Sequence, residues 1–269
     1  GDGNTNCLPN YLKSYGYKTI ASQPMYGSFF NIEKAYKSLG FEESFLTPNF
    51  DMTDMNNGWL SDKSFFKQHF ELISKSLVDD KPILNYLFAV GCHSGLGQSQ
   101  SYERLIEYPK SKILEEFLNC NTNSLQHLIK YINKIKSLDP DSLIIILPDH
   151  IPPGIPAESY INAGYSCDIS KKLICERKVK IIFIDNNLDI DIKKKNYSYY
   201  EIPEIIINQI SNKELCKTIK CSFLSKNISI NGIIVDRENL TPISNQSLSL
   251  YHKELYLSLL RESQVKLDD

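Results

Sequence analysis

The chain has 269 residues, a mass of 30.8 kDa and a formal net charge of -2, with 42% hydrophobic and 23% charged residues. That length can bury a sizeable core, as one large α/β domain or two small ones. The charge argues against a nucleic-acid footprint, and no apolar run approaches the roughly 20 residues a membrane helix needs. The chain does not begin with Met and carries no signal peptide, so it reads as an excised domain.

In chain order, a polar opening leads into a helix over Leu8–Ser14, with Pro9 in the first turn, where its missing N–H costs nothing. Residues 17–21 read as a short strand. A second helix over Ile32–Leu39 stops at Gly40. Residues 49–58 form a polar loop. Ser61 can cap a third helix, in which Phe66, Phe70, Ile73 and Leu77 recur at helical spacing and read as core. After the break at Lys81-Pro82, residues 83–90 are a strongly apolar strand that ends in Gly91-Cys92-His93-Ser94-Gly95.

Residues 95–112 are loop-like. Leu125, Leu128, Ile129, Ile132 and Ile135 then define one apolar helix face, closed by Asp139-Pro140. Residues 154–176 are irregular, 179–184 form another buried strand, and Pro203 opens a helix through Ile205, Ile206 and Ile210. Short strand-like pieces follow around 228–235, and residues 248–260 predict a last amphipathic helix. Strands alternating with helices predict a mostly parallel central sheet with helices on both faces. No Gly-rich phosphate loop and no G-x-S-x-G elbow is present.

The most informative stretch is Leu143-Ile144-Ile145-Ile146-Leu147-Pro148-Asp149-His150. Five apolar residues bounded by a turn predict a strand buried on both faces. Its end delivers a carboxylate and an imidazole, and ligands of open α/β sheets bind at the carboxyl ends of strands. Asp oxygen with His nitrogen suits zinc or manganese. The plain alternative is a polar turn with His150 on the surface. Two strands thus end in a His-bearing turn, and the pattern predicts that His93 and His150 share a pocket.

Seven cysteines is an odd number, and none makes a C-x-x-C pair. Cys167 and Cys175, or Cys216 and Cys221, are spaced to close small disulfide loops, which would imply an oxidising compartment. Free thiols in a cytosolic protein are the alternative.

Four stretches, in order, resemble the sulfatase-like branch of the alkaline phosphatase superfamily, in particular lipoteichoic acid synthases and phosphoethanolamine transferases. They are Cys7 to Thr19 ("LPxxLKxxGYxT"), Ser28-Phe29-Phe30-Asn31 on to Leu39-Gly40-Phe41 ("SFxxRxxxYxxLGF"), His93 ("NHxP") and Asp149-His150-Ile151-Pro152-Pro153 ("DHAPP"). The resemblance implies an alkaline-phosphatase-like fold over residues 1–212, with its first part missing and residues 213–269 as an extension packed on it. It implies a phosphotransferase or hydrolase using manganese or zinc, with magnesium a third option. Asp149 and His150 would be metal ligands, His93 would donate to a phosphoryl or leaving-group oxygen, and Phe30 would face substrate.

The implied partners are a phospholipid headgroup donor and an envelope glycan acceptor, with no nucleic acid. The implied location is extracytoplasmic, in the periplasm or on the outer face of the inner membrane, anchored through a segment missing from this chain. The family's metal-binding Glu and nucleophilic Thr would fall upstream of Cys7, and Thr5 is a poor substitute because no acidic residue follows it closely. Ile32 stands at the family's substrate-binding Arg, Cys92 at the Asn before His, and Pro148 at the Gly before Asp. The second functional reading is therefore a degenerate, non-catalytic domain that binds a glycan, lipid or protein. The chain as given is expected to bind manganese or zinc weakly and to hydrolyse no phosphodiester or sulfate ester.

Overall fold

The computed structural model describes residues 7–56, 58–78, 81–92, 103–149, 155–164, 179–185, 196–211, 227–230, 233–236 and 238. The chain divides into two compact units: Gly1–Leu143 with Pro152–Cys167, and Ile144–Ile151 with Asp168–Asp269.

In the first unit, helix α1 (Leu8–Ser14) begins with a proline in its first turn, as the sequence predicts. It leads into strand β1 (Lys18–Ser22), which is buried from Thr19 onward. Helix α2 (Ile32–Leu39) ends at Gly40, whose φ of +101° lies in the left-handed region that favours glycine. An added Cβ there would also sit 2.2 Å from Asn10 Oδ1, so only glycine lets α1 and the end of α2 approach this closely. The chain continues into β2 (Glu43–Phe45), a small antiparallel pair β3 (Met55–Asn56) and β4 (Trp59–Leu60), helix α3 (Asp62–Ile73) and strand β5 (Ile83–Leu87).

Strands β2, β1 and β5 form a parallel sheet in that order, with Ile20 opposite both Glu43 and Asn85. Alternation sends side chains to two faces. Ala21 packs with Tyr36 of α2 and with Leu46, while Ile32 and Phe41 close the same cluster. On the other face, the Phe45 ring meets His69 of α3 at 6.4 Å, and Asn85 Nδ2 donates to Tyr131 Oη at 3.3 Å. Tyr131 belongs to helix α4 (Lys112–Leu138). Helices therefore cover both faces of a parallel sheet, the α/β class expected.

Helix α3 is capped by Ser61, whose hydroxyl accepts from the Ser64 N–H at 3.2 Å. Its buried residues include Phe65, Phe66, His69 and Ile73, while Leu77 lies beyond its end in a short 3-10 turn. Helix α4 is longer than the apolar spacing indicates. Tyr131, Ile132 and Ile135 are buried, but Leu125 and Ile129 are exposed, so the predicted single face is only half covered. The segment before α4 is held by polar contacts. Arg104 pairs with the buried Glu116, and Asn119 Oδ1 accepts from the Leu105 and Ile106 N–H groups at 2.7 and 2.9 Å. Helix α5 (Ala157–Asn162) also belongs to this unit.

In the second unit, strand β6 (Ile144–Ile146) pairs with β7 (Ile182–Ile184), with Ile145 opposite Phe183. The pairing is antiparallel, which corrects the expectation that the strand before Asp149 is a central parallel one. The expected burial on both faces is not met either: Ile144–Ile146 are only half-buried and Leu147 and Ile182 are exposed, so an apolar run gives neither the cover nor the direction of a strand that is only three residues long. Ile202 and Ile205 of helix α6 (Ile202–Ile210) pack with Ile145 and Phe183. A hairpin of β8 (Asn227–Ile230) and β9 (Ile233–Asp236) realises the strand-like pieces read from the sequence. The predicted helix at 248–260 lies outside the described residues.

Candidate functional site at the strand ends

The order β2-β1-β5 means the chain leaves β1 to one side for β2 and returns to the other side for β5. Such a reversal opens a crevice at the strands' carboxyl ends. Past β1, Gln23 is buried, and its Oε1 accepts from Tyr36 Oη at 2.7 Å. Desolvation and the neighbouring Tyr86 push the Tyr36 phenol far above its ordinary value, so it stays a neutral donor. Next, Pro24, Met25, Tyr26, Ser28 and Phe29 line an open cleft of about 460 Å³, together with Thr47 past β2 and Met52, Met55, Gly58 and Trp59.

Phe30 stands beside this cleft. It is 85% exposed, and its ring packs edge-on against Phe29 at 4.5 Å. Phe30 and Asn31 have φ of 49° and 53°, two consecutive non-glycine residues in the left-handed region. Such strain costs on the order of 1–3 kcal/mol per residue and clusters at ligand clamps. Ile32, at the arginine position of the resemblance, turns into the core beside Ala21 and Tyr36.

Past β5 the chain is tethered from two helices. The Gly91 N–H donates to Asp62 Oδ1 at 3.0 Å, and the Ser124 hydroxyl donates to Asp62 Oδ2. Burial raises the Asp62 carboxyl above its usual range, opposed by the Ser124 and Gly91 hydrogen bonds and by His127. The adjoining Cys92 is disulfide-bonded to Cys120 of α4, with Cα atoms 5.9 Å apart. A disulfide was expected, but at Cys167–Cys175 or Cys216–Cys221, both of which lie outside the described residues. His93, the next residue after Cys92, also lies outside them, so its shared pocket with His150 is not described.

In the second unit, Asp149 is exposed, in the turn after β6. The Tyr199 hydroxyl donates to the carbonyl oxygens of Pro148 and Asp149, at 2.5 and 3.3 Å. Burial first, and the Asp149 charge second, raise the Tyr199 phenol. The Tyr199 hydroxyl thus holds this segment through its backbone carbonyls. His150 lies outside the described residues. Among the described residues no group of three His, Cys, Asp or Glu side chains could hold a metal. Asp149 alone falls short of the three protein ligands of a catalytic zinc site.

Sequence reasoning missed the Asp62–Ser124–Gly91 tether and the Cys92–Cys120 bridge. Seven cysteines permit many pairings, and local spacing favours near neighbours over a pair 28 apart. The cleft left a clearer trace. All three methionines and the one tryptophan of the chain fall between residues 25 and 59, and all four line it.

A parallel sheet covered on both faces, with its crevice at the strand ends, defines an α/β protein. The fold is shared with the lipoteichoic acid synthase LtaP of Listeria monocytogenes (TM-score 0.59, 17% identity, covering 68% of this chain and 46% of that one). It is also shared with a protein of the alkaline phosphatase superfamily from Vibrio parahaemolyticus (TM-score 0.62, 12% identity, covering 92% and 64%). The sulfatase family profile matches residues 2–200, and the chain belongs to that family. A lipoteichoic acid synthase of Staphylococcus saprophyticus is 27% identical over 157 residues, covering 56% of this chain and 24% of that protein. The chain spans about a quarter of the length of the curated relatives it matches.

Proposed function

We propose that this chain is part of a metal-dependent phosphotransferase or hydrolase that acts on envelope lipids or glycans, of the phosphoethanolamine or glycerophosphate transfer type. The observation that carries the reading is membership of the sulfatase family over residues 2–200, in a chain whose relatives include lipoteichoic acid synthases. In this reading Asp149 and His150 bind manganese or zinc. The metal would lower the pKa of a nucleophile and neutralise phosphoryl charge. His93 donates to a phosphoryl or leaving-group oxygen, and Phe30 faces the substrate. The donor is a phospholipid headgroup and the acceptor an envelope glycan.

The sulfatase-like domain covers about residues 1–212, with 213–269 as a C-terminal extension. The protein works outside the cytoplasm, and the Cys92–Cys120 bridge supports an oxidising compartment. No helix among the described residues is long and apolar enough to cross a membrane. The degenerate, ligand-binding reading draws support from Ile32, which removes a bidentate phosphate contact.

Calorimetric titration with manganese or zinc tests the assignment. The expected outcome is weak binding that disappears in Asp149→Ala. Tight binding untouched by Asp149→Ala would place the metal elsewhere and sink the assigned site. His93→Ala should leave the metal isotherm unchanged, since its role is toward substrate.

A further inference from the structure

We infer that Tyr199 is the positioning residue of the Asp149 carboxylate, holding it by gripping the two peptide groups on either side of the Asp149 Cα. The Tyr199 hydroxyl donates to the Pro148 carbonyl oxygen at 2.5 Å and to the Asp149 carbonyl oxygen at 3.3 Å. The first carbonyl lies in the peptide plane that enters Asp149, and the second in the plane that leaves it. Peptide planes are rigid, so only φ and ψ of Asp149 set how these two planes lie against each other. A donor shared between both carbonyls restricts both dihedrals, and the dihedrals decide which side-chain rotamers are open. The assignment rests on the reading in which Asp149 is a metal ligand, and it supplies what aims that ligand.

The register between β6 and β7 ends at Ile146 opposite Ile182, so their ladder no longer fixes the chain at Asp149. Pro148 has no N–H to extend it. Tyr199 comes from 50 residues away, but from the element that already covers β6. Its 3-10 turn, Tyr199–Glu201, is closed reciprocally. The Ser198 N–H donates to Glu201 Oε2 at 2.8 Å, and the Glu201 N–H donates to the Ser198 carbonyl at 3.0 Å. Glu201 is 1% exposed, and the turn runs straight into α6, whose Ile202 and Ile205 pack with Ile145 of β6. Strand, carboxylate turn and hydroxyl are thus held in one frame within the second unit. Tyr199 itself is 43% exposed, so its ring is no core residue and the hydroxyl carries its contribution.

Asp149-His150 is the only Asp-His pair in the chain. Labelling Asp with carbonyl carbon-13 and His with nitrogen-15 therefore yields one carbonyl–amide NMR signal, that of the Asp149 carbonyl. Tyr199→Phe removes the hydroxyl and nothing else. Without metal, the Asp149 carbonyl signal should shift in Tyr199→Phe, while the urea midpoint stays close to wild type. With manganese alone as the probe, paramagnetic broadening of this signal reads metal beside Asp149. The concentration needed to broaden it should rise about tenfold in Tyr199→Phe, as for other groups that orient metal ligands.

Broadening at the wild-type concentration in Tyr199→Phe, or an unmoved carbonyl signal, would overturn the inference. So would a manganese loss that comes with a lowered urea midpoint, which is what a merely structural tyrosine predicts. Manganese that leaves the wild-type signal untouched overturns the reading of Asp149 as a ligand, and the inference with it. The wild-type titration keeps that failure distinct from the others.

Discussion

The carboxyl ends of β1 and β5 lie side by side in one sheet and are built in opposite ways. The β5 end is fastened. Gly91 is tied to Asp62, Asp62 to Ser124, and Cys92 to Cys120. Beneath it, His69, Tyr131 and Asn85 make a polar cluster inside an aromatic core. The β1 end is open, lined by methionines and aromatic rings, and its tip residues are strained. The β5 end is bonded covalently and through a buried carboxylate, and the β1 end is walled by soft side chains.

The contrast breaks first under acid. His69 is fully buried, and its Nδ1 pairs with Tyr131 Oη at 3.0 Å. Burial lowers its pKa from 6.5 to about 3, with Asn85 opposing. Below pH 6.5 the unfolded chain takes up a proton that the folded chain refuses, so stability falls with pH by about 1.4 kcal/mol per unit until the folded pKa is reached. Asp62 works in the other direction. Its raised carboxyl pKa means the folded state protonates first on acidification, so lowering the pH relieves a cost that its ionised form carries at neutral pH. In His69→Gln, which keeps an acceptor for Tyr131, urea titrations between pH 6.5 and 4 should show the His69 slope removed. An unchanged slope would mean that His69 is not buried neutral.

Next comes the covalent tether. In Cys92→Ser with Cys120→Ser, losing a bridge with a separation of 28 residues should cost about 3–4 kcal/mol, read as a lower thermal midpoint. Trp59 fluorescence should stay close to wild type, because the tether lies outside the cleft lining. Peptide mapping without reductant should recover the Cys92–Cys120 pair. Recovery of both as free thiols would remove the covalent half of the contrast.

A smaller loss is expected at Gly91→Ala. An added Cβ would stand 2.5 Å from Asp62 Oδ1, and Asp62 is fixed by Ser124, so the carboxylate must retreat from the Gly91 N–H. The cost should be about 1–3 kcal/mol in chemical denaturation. A Gly91→Ala loss that largely vanishes when measured in an Asp62→Ala background would identify the clash as its cause.

Local signals were legible in the sequence and long-range contacts were not. Pro9, Gly40 and Ser61 are local signals, and they placed α1, the end of α2 and the start of α3 correctly, because capping and positive φ are decided within a few residues. The cluster of Met and Trp was not singled out in the sequence and stands out only once the cleft is known. The fastened end depends on contacts between residues far apart in the chain, Asp62 with Ser124 and Cys92 with Cys120, which no local pattern encodes. The direction of β6 was hidden for a similar reason. Ile144–Ile146 is apolar whichever way its neighbour runs, and only the arrival of Ile182–Ile184 decides it.

The smallest effect should come from the tip of the open end. Phe30 is exposed and its backbone sits at φ 49°, so its side chain contributes little burial and some strain. Glycine at this position removes the left-handed penalty but adds conformational freedom to the unfolded chain, and each term is about 1 kcal/mol. They oppose, so Phe30→Gly should change stability by no more than about 0.5 kcal/mol. The substitution also deletes the ring that packs edge-on against Phe29. Near-neutral stability is what a side chain outside the packing predicts. A loss of stability well beyond that range would show that Phe30 is part of the packing after all, and that the two strand ends differ less than their geometry indicates.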